Sequence, residues 1–357
     1  MKAEYKAYNL EFKFPAGTSR GILTSKKTWF LKISDSANQV TGIGEAGPLP
    51  GLSIDDRPEF ESRLEDICRR LEVYQPEDLY DSDFAELLGL QEFPSIVFAL
   101  ETAFNDYRNN GVRKVFSTEF TEGRKAIPIN GLIWMGDESF MKDQISRKLA
   151  EGYKCLKMKI GAIGFEKECR ILESLRNEFS EAELTLRVDA NGAFSPEEAP
   201  GKLKKLAEYK IHSIEQPVKQ GQIPVMKKLC AEAPISVALD EELIGVYGFE
   251  RKQSLLKEIQ PQYIILKPTL VGGFSSSTEW IRIAESLGIG WWITSALESN
   301  IGLNAIAQYT SMVCENDFPQ GLGTGQLYTN NIESPLVIQT GKLHYSQQLE
   351  WKLAEIF

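Results

Sequence analysis

Lys157 and Lys159, in the run LKMKI, are separated by a single residue. Residues i and i+2 of a strand share a face, so both lysines and Cys155 point the same way. On a solvated edge such a pair is ordinary surface. In a strand covered on its outside by helices, both lysines must project to the mouth of the sheet. Crowding two cations there lowers the pKa of each, as a lysine acting as a base near neutral pH requires. Asp189, Glu215 and Asp240 follow at intervals of 26 and 25 residues, each ending a short apolar run. Three gathered carboxylates repel unless protonated or bridged by a cation. Donors that are all oxygen favour a hard ion, Mg2+ with Mn2+ as a substitute, over zinc. Singly, each is a common surface carboxylate or helix cap, and the shared register is the signal. Glu241 and Glu242 adjoin Asp240, and composition leaves the third ligand open among them. Alternation from Val237 and Leu239 favours Asp240. Lys267 ends YIILK and is expected two strands beyond Asp240, across the mouth from the lysine pair. A metal held by carboxylates with a cation on each side suits a small-molecule carboxylate substrate, because both stabilise charge that appears when a proton leaves.

These residues need strands that all end at one level. From about residue 127 the chain supplies them: IPINGLIW, CLKMKI, LTLRVDA, HSIEQ, ISVALD, YIILK, GWWIT and the region near Gly321 alternate with amphipathic helical stretches. The steps take roughly 25 to 30 residues, which predicts a parallel sheet, and eight of them predict a closed (β/α)8-type barrel. An open doubly wound sheet is the alternative, weakened by the missing G-x-G-x-x-G turn. In a barrel the strand ends surround the active site, so polar groups there form an inward ring. Thr294, Ser295 and Asn191 belong to that ring, and Arg187 shares the face of Asp189. Before residue 125 the texture is α+β, with strand-like runs at 7–14 and 28–33, helical character from about Asp56, and a proline-opened helix at 94–107. This first part is expected to select the substrate through two loops, 15–21 (PAGTSRG) and 47–53 (GPLPGLS), although their glycines and prolines equally suit plain hairpin turns. Of Trp291 and Trp292, one should face the barrel interior and the other its helices. A further alternating run at 336–345 is expected to pack back on the first domain.

Composition narrows the chemistry. The chain has 357 residues, 42% hydrophobic and 25% charged, with net charge −10. That is a folded globular composition without the basic stripe that nucleic acid requires. No run approaches the ~20 apolar residues of a membrane span, and the start, MKAEYKAYNLEF, lacks a signal-peptide core, which predicts a cytoplasmic protein with no membrane partner. Five scattered cysteines without a C-x-x-C pair read as reduced thiols. Two histidines, His212 and His344, leave little material for a histidine zinc site or a Ser-His-Asp relay and read as structural. Acid–base work falls to lysines and carboxylates. The sequence is compatible with a homo-oligomer.

Five motifs in one order, Lys157-Met-Lys159, Val188-Asp-Ala-Asn191, Ile214-Glu-Gln-Pro217, Ala238-Leu-Asp-Glu241 and Ile265-Leu-Lys-Pro-Thr269, resemble the enolase superfamily, muconate-lactonising-enzyme subgroup. The resemblance spans the chain. It implies an α/β fold: a modified (β/α)7β TIM-type barrel (126–326), an N-terminal α+β capping domain (1–125) and a tail returning to the cap (327–357). It implies Asp189, Glu215 and Asp240 as Mg2+ ligands, Lys159 as the base, Lys157 as an electrostatic aid and Lys267 on the opposite face. Asn191, Thr294, Ser295 and Arg187 become substrate-binding candidates. KPTLVGG and ITSALES look most like the subgroup's dehydrating members, which implies a Mg2+-dependent carbon–oxygen lyase working through an enediolate. Racemase, dipeptide epimerase and cycloisomerase are the alternatives on this scaffold. The epimerases' Asp-x-Asp is replaced by GLGTG at 321–325, and Glu242 departs from the small residue common after Asp-Glu.

Overall fold

Alternating side chains near the N-terminus build an antiparallel ribbon in this computed structural model, which describes residues 1–18, 21–35, 39–161, 164–354 and 356–357. In the ribbon β1 (Lys2–Thr18) pairs with β2 (Gly21–Ser34), and β2 with β3 (Thr41–Ala46). Both long strands run past the helices they pack on, and β1 carries Leu10, Phe12 and Ala16 into a second apolar cluster with Leu49 and Trp134. A register shift between Glu11 and Ala16 absorbs the turn residues there. The helices α1 (Phe60–Leu71), α2 (Phe84–Leu88) and α3 (Pro94–Arg108) cover one face. Helix α1 begins later than Asp56 because that carboxylate is used in the preceding loop, accepting from the Gly51 N–H at 2.7 Å. Trp29, Leu31, Ile33, Phe60, Leu64 and Phe104 form the core between ribbon and helices. On β3, Gly42 and Gly44 let α3 lie directly on the strand, since a Cβ at either would sit 1.9 Å from a carbonyl oxygen of that helix.

After a short strand, β4 (Ile127–Pro128), the chain alternates. Its parallel strands are β5 (Gly131–Ile133), β6 (Cys155–Lys159), β7 (Thr185–Asp189), β8 (Ser213–Glu215), β9 (Ser236–Leu239), β10 (Tyr263–Leu266) and β11 (Gly290–Ile293), neighbours in that order. The outer helices are α4 (Glu138–Ala150), α5 (Phe165–Glu178), α6 (Ala199–Ala207), α7 (Ile223–Glu232), α8 (Phe249–Ile259), α9 (Pro268–Val271), α10 (Gly273–Ser286) and α11 (Asn300–Val313). Strand β10 adjoins β9, so Lys267 is one strand beyond Asp240 rather than two. The eighth strand is a seam of two residues: Gln320 bridges Ile129 on one side and Gly321 bridges Thr294 on the other. The ring closes on the N–H groups of Asn130, Gln320, Gly321 and Ser295.

The hairpin β12 (Leu336–Gln339) and β13 (Lys342–Tyr345) pairs with β4 at the entrance to the barrel. The segment preceding this hairpin is the one that meets the N-terminal ribbon. There the Lys13 N–H donates to the Leu327 carbonyl at 2.8 Å and the Thr329 N–H to the Glu11 carbonyl at 2.9 Å. All five cysteines are free thiols. Among the described residues no helix is long and apolar enough to cross a membrane.

Candidate active site

Parallel pairing sets Lys159, Asp189 and Glu215 side by side at the ends of β6, β7 and β8, while Lys157 lies one pleat lower beside Arg187. Asp240, Lys267 and Thr294 directly follow β9, β10 and β11. In a ring of eight, β6 and β10 are four positions apart, which puts Lys159 and Lys267 on opposite sides of the mouth. Three residues on this rim, Asn191, Gln216 and Leu297, hold positive φ angles of 43°, 39° and 65°, strain of the kind that collects where a site is built.

The charged groups are buried and interlocked. Lys157 Nζ lies 2.9 Å from Asp189 Oδ2 and 2.5 Å from Glu215 Oε2. Lys159 Nζ lies 3.3 Å from Asp189 Oδ2 and donates to Asn191 Oδ1 at 2.5 Å. Asn191 Nδ2 in turn donates to Glu241 Oε1 at 3.0 Å, so the amide fixes where the Lys159 ammonium sits. Lys267 pairs with Asp240. Burial opposes every one of these charges. In Lys157 it is overcome by Asp189, Glu215 and Asp240, and in Lys267 by Asp240, Glu215 and Glu241, so both ammonium pKa values are raised. The lowering expected from crowding two lysines is therefore corrected for Lys157, because its nearest neighbours are carboxylates and not the other lysine. Burial, followed by the Asp189 charge, pushes Glu215 up. Asp189, against the same burial, is drawn down by Lys157, Lys159 and Lys267.

Among the described residues no three acidic, histidine or cysteine groups converge on one point as they stand, since lysine ammoniums lie between the carboxylates. The donor set nevertheless suits a hard cation. Asp189, Glu215 and Asp240 supply only oxygens, are 1%, 2% and 1% exposed, and Glu215 Oε1 is buried without a hydrogen-bond partner.

Above these groups opens a cavity of about 800 Å³. Its floor carries Lys157, Lys159, Asp189, Asn191, Lys267, Thr294 and Ser295, and its roof Phe14, Ile22, Leu23, Leu49 and Pro50. Both anticipated loop regions therefore reach the mouth, Ser19 and Arg20 lying outside the described residues. Ser295 lines the cavity, but its hydroxyl donates to Glu298. Arg187 is a correction. It lies below the cavity at 2% exposure, its guanidinium 4.4 Å from the Trp292 ring and 4.3 Å from the Phe318 ring, with Nη1 donating to the Pro319 carbonyl. Strand alternation gives its side of the sheet and not its height, and at that height it faces the barrel floor. His212 is there too, beside Tyr263 and Phe318, and burial followed by the Arg187 charge lowers its pKa to about 4. One wall residue went unread in the sequence, Trp134, whose ring is 5.9 Å from Lys159 Nζ, and so did Glu298, which is buried behind the wall and holds Ser295. Trp134 follows β5 as the other site residues follow their strands, and that position was its signal.

Fold and site together define an enzyme of the enolase superfamily. Residues 141–349 match the enolase C-terminal domain-like family, and the chain belongs to it. Within it the chain is one of the o-succinylbenzoate synthase family and hence of hydro-lyase type. It is 48% identical over 369 residues to the o-succinylbenzoate synthase of Desulfotalea psychrophila, covering 97% of this chain and 99% of that protein. The crystal structure of MenC from Desulfotalea psychrophila superposes with a TM-score of 0.86 at 44% identity, over 96% of this chain and 99% of that one. The N-succinylamino acid racemase of Thermus thermophilus is more distant, 28% identical over 84% of this chain and 79% of that protein.

Proposed function

We propose that this protein dehydrates 2-succinyl-6-hydroxy-2,4-cyclohexadiene-1-carboxylate to 2-succinylbenzoate, a Mg2+-dependent syn elimination of water serving menaquinone biosynthesis in the cytoplasm. The observation that carries the reading is the placement of Lys159 and Lys267 on opposite sides of one carboxylate-lined mouth. Simple binding gives no reason for that arrangement. Asp189, Glu215 and Asp240 would hold the Mg2+, which when bound supplies positive charge to the substrate's carboxylate. Lys159, steadied by Asn191, removes the proton α to that carboxylate and then delivers it to the departing hydroxyl on the same face, so one proton and one hydroxyl leave as water. Lys267 stays an ammonium on the other face and offsets the charge that appears as the proton leaves. Lys157, tied to Asp189 and Glu215, fixes both carboxylates. Aromatisation of the ring drives the reaction forward.

The purified protein should consume the diene in a Mg2+-dependent, EDTA-sensitive reaction followed in the ultraviolet. A folded, Mg2+-binding protein that leaves the diene untouched would move the activity to the cycloisomerase branch or to the racemase branch, in the latter of which the same lysines act as two bases. The epimerase version is disfavoured because Gly321, Gly323 and Thr324 line the cavity where an acid would hold the substrate's ammonium.

A further inference from the structure

Behind the cavity wall lies a buried lysine that plays no part in the proposed reaction. Lys26, on β2, is 1% exposed, and its Nζ has no hydrogen-bond partner among the described residues. The ammonium presses on Gly47, where an added Cβ would lie 2.7 Å from Nζ and 2.8 Å from Thr28 Oγ1. Gly47 opens the loop that carries Leu49, Pro50 and Gly51 to the cavity. That loop is anchored at its far end by Asp55, whose Oδ2 accepts from the Ser95 N–H at 2.9 Å and hydroxyl at 2.6 Å, while Oδ1 is buried and unpartnered. Four residues before Lys26, Ile22 lines the same cavity.

Two carboxylates complete the cluster, Glu45 on β3 and Glu298 on the barrel side. Glu45 accepts from the Ser299 N–H at 2.9 Å and hydroxyl at 2.5 Å, and from the Gly302 N–H at 2.9 Å, joining β3 to the start of α11. Glu298 accepts from the Ala296 N–H at 2.8 Å, from Ser295, and from Thr269 two residues after Lys267 at 2.5 Å. Burial lowers the Lys26 pKa, against the fields of Glu45, Glu298 and Asp55. A buried cation without hydrogen bonds is expensive to keep, and the same Cβ position on Gly47 lies 3.6 Å from Glu45 Oε1, so the ammonium sits where β2, the loop at Gly47 and the carboxylate that reaches α11 come together.

We infer that Lys26 is a positioning residue for substrate selection, whose buried ammonium holds the β1–β2 hairpin, the loop at 47–55 and the barrel turn at 295–298 in one arrangement and so sets the cavity's shape without touching the substrate. In Lys26→Met, KM for the diene should rise about tenfold while kcat stays within about threefold, because the walls loosen and the reacting groups do not. Lys26→Arg, which keeps a cation, should recover part of that loss. Hydrogen exchange should quicken at 47–55 and 295–298 together. Gly47→Ala displaces the ammonium without removing it and should show the same KM signature, which keeps the inference testable where Lys26→Met does not fold. Unchanged KM in the folded variants, a fall in kcat at constant KM, or faster exchange confined to 47–55 would overturn it. The kinetic arm rests on the proposed dehydration and the exchange arm does not. A wild type inert toward the diene therefore refutes that reading alone, and the exchange result then decides for Lys26.

Discussion

In the proposed reaction Lys159 and Asp240 have different tasks at the residue scale, and their variants should fail differently. Lys159→Ala removes the proposed base and should cut turnover by about 10² to 10⁴, leaving Mg2+ affinity by calorimetry nearly intact. An active variant would remove it from that role. Asp240→Asn should weaken Mg2+ binding, and it also takes from Lys267 the carboxylate it now pairs with. Unchanged metal affinity would shift the ligand to Glu241, which already takes part in the site through Asn191. Much at this scale was legible, because strand ends at regular intervals pick out Lys159, Asp189, Glu215, Asp240 and Lys267 without any contact being known. What stayed hidden is what depends on neighbours far along the chain. The Lys157 pair with Glu215 joins residues 58 apart in sequence, and Arg187 meets Phe318 from 131 residues away. Spacing within one strand carries no information about either.

Elements are joined by buried carboxyls, and Glu101 is the clearest case. It projects from α3, accepts from the Phe274 and Ser275 N–H groups at the start of α10, and lies so close that a Cβ on Gly273 would be 2.1 Å from its Oε2. Burial, against those hydrogen bonds, raises its pKa from 4.5 to about 7. A carboxyl raised on folding contributes its stability in full below the unfolded pKa and loses it as pH climbs through the folded one. In Glu101→Gln, then, stability relative to wild type should improve between pH 4.5 and pH 8, by at most about 3 kcal/mol, read by urea unfolding at both pH values. A difference that does not change with pH would mean the acid is not neutral in the fold. Gly44→Ala tests the other joint of α3: a methyl 1.9 Å from the Ala99 oxygen must push helix from strand, at a cost of about 3 kcal/mol. The βα alternation was readable since each strand is a short, mainly apolar run covered by helices, with its polar groups gathered toward the end. The outer reaches of β1 and β2 were not: Leu10, Phe12, Phe14 and Ala16 keep the strand period, but Pro15, Gly17 and Gly21 read as a turn and hid the hairpin's extension over the cavity.

At the scale of the whole molecule the proposed carboxylate ligands would couple folding to the ion. Mg2+ at about a hundred times its Kd should add roughly 2.7 kcal/mol and raise the melting temperature by several degrees, reversed by EDTA. A melting curve indifferent to both would argue against the metal site. The two-residue seam at Gln320 and Gly321 bears on how the chain is made. Until the ribosome has extruded that seam, β5 and β11 are the open edges of an unfinished sheet, and Lys13 still lacks the Leu327 carbonyl that its N–H will meet. Nearly all of the protein must therefore be synthesised before either half can be completed. An arrested chain stopping short of residue 320 would expose two parallel edges, which makes it a substrate for chaperones and for aggregation rather than a smaller enzyme.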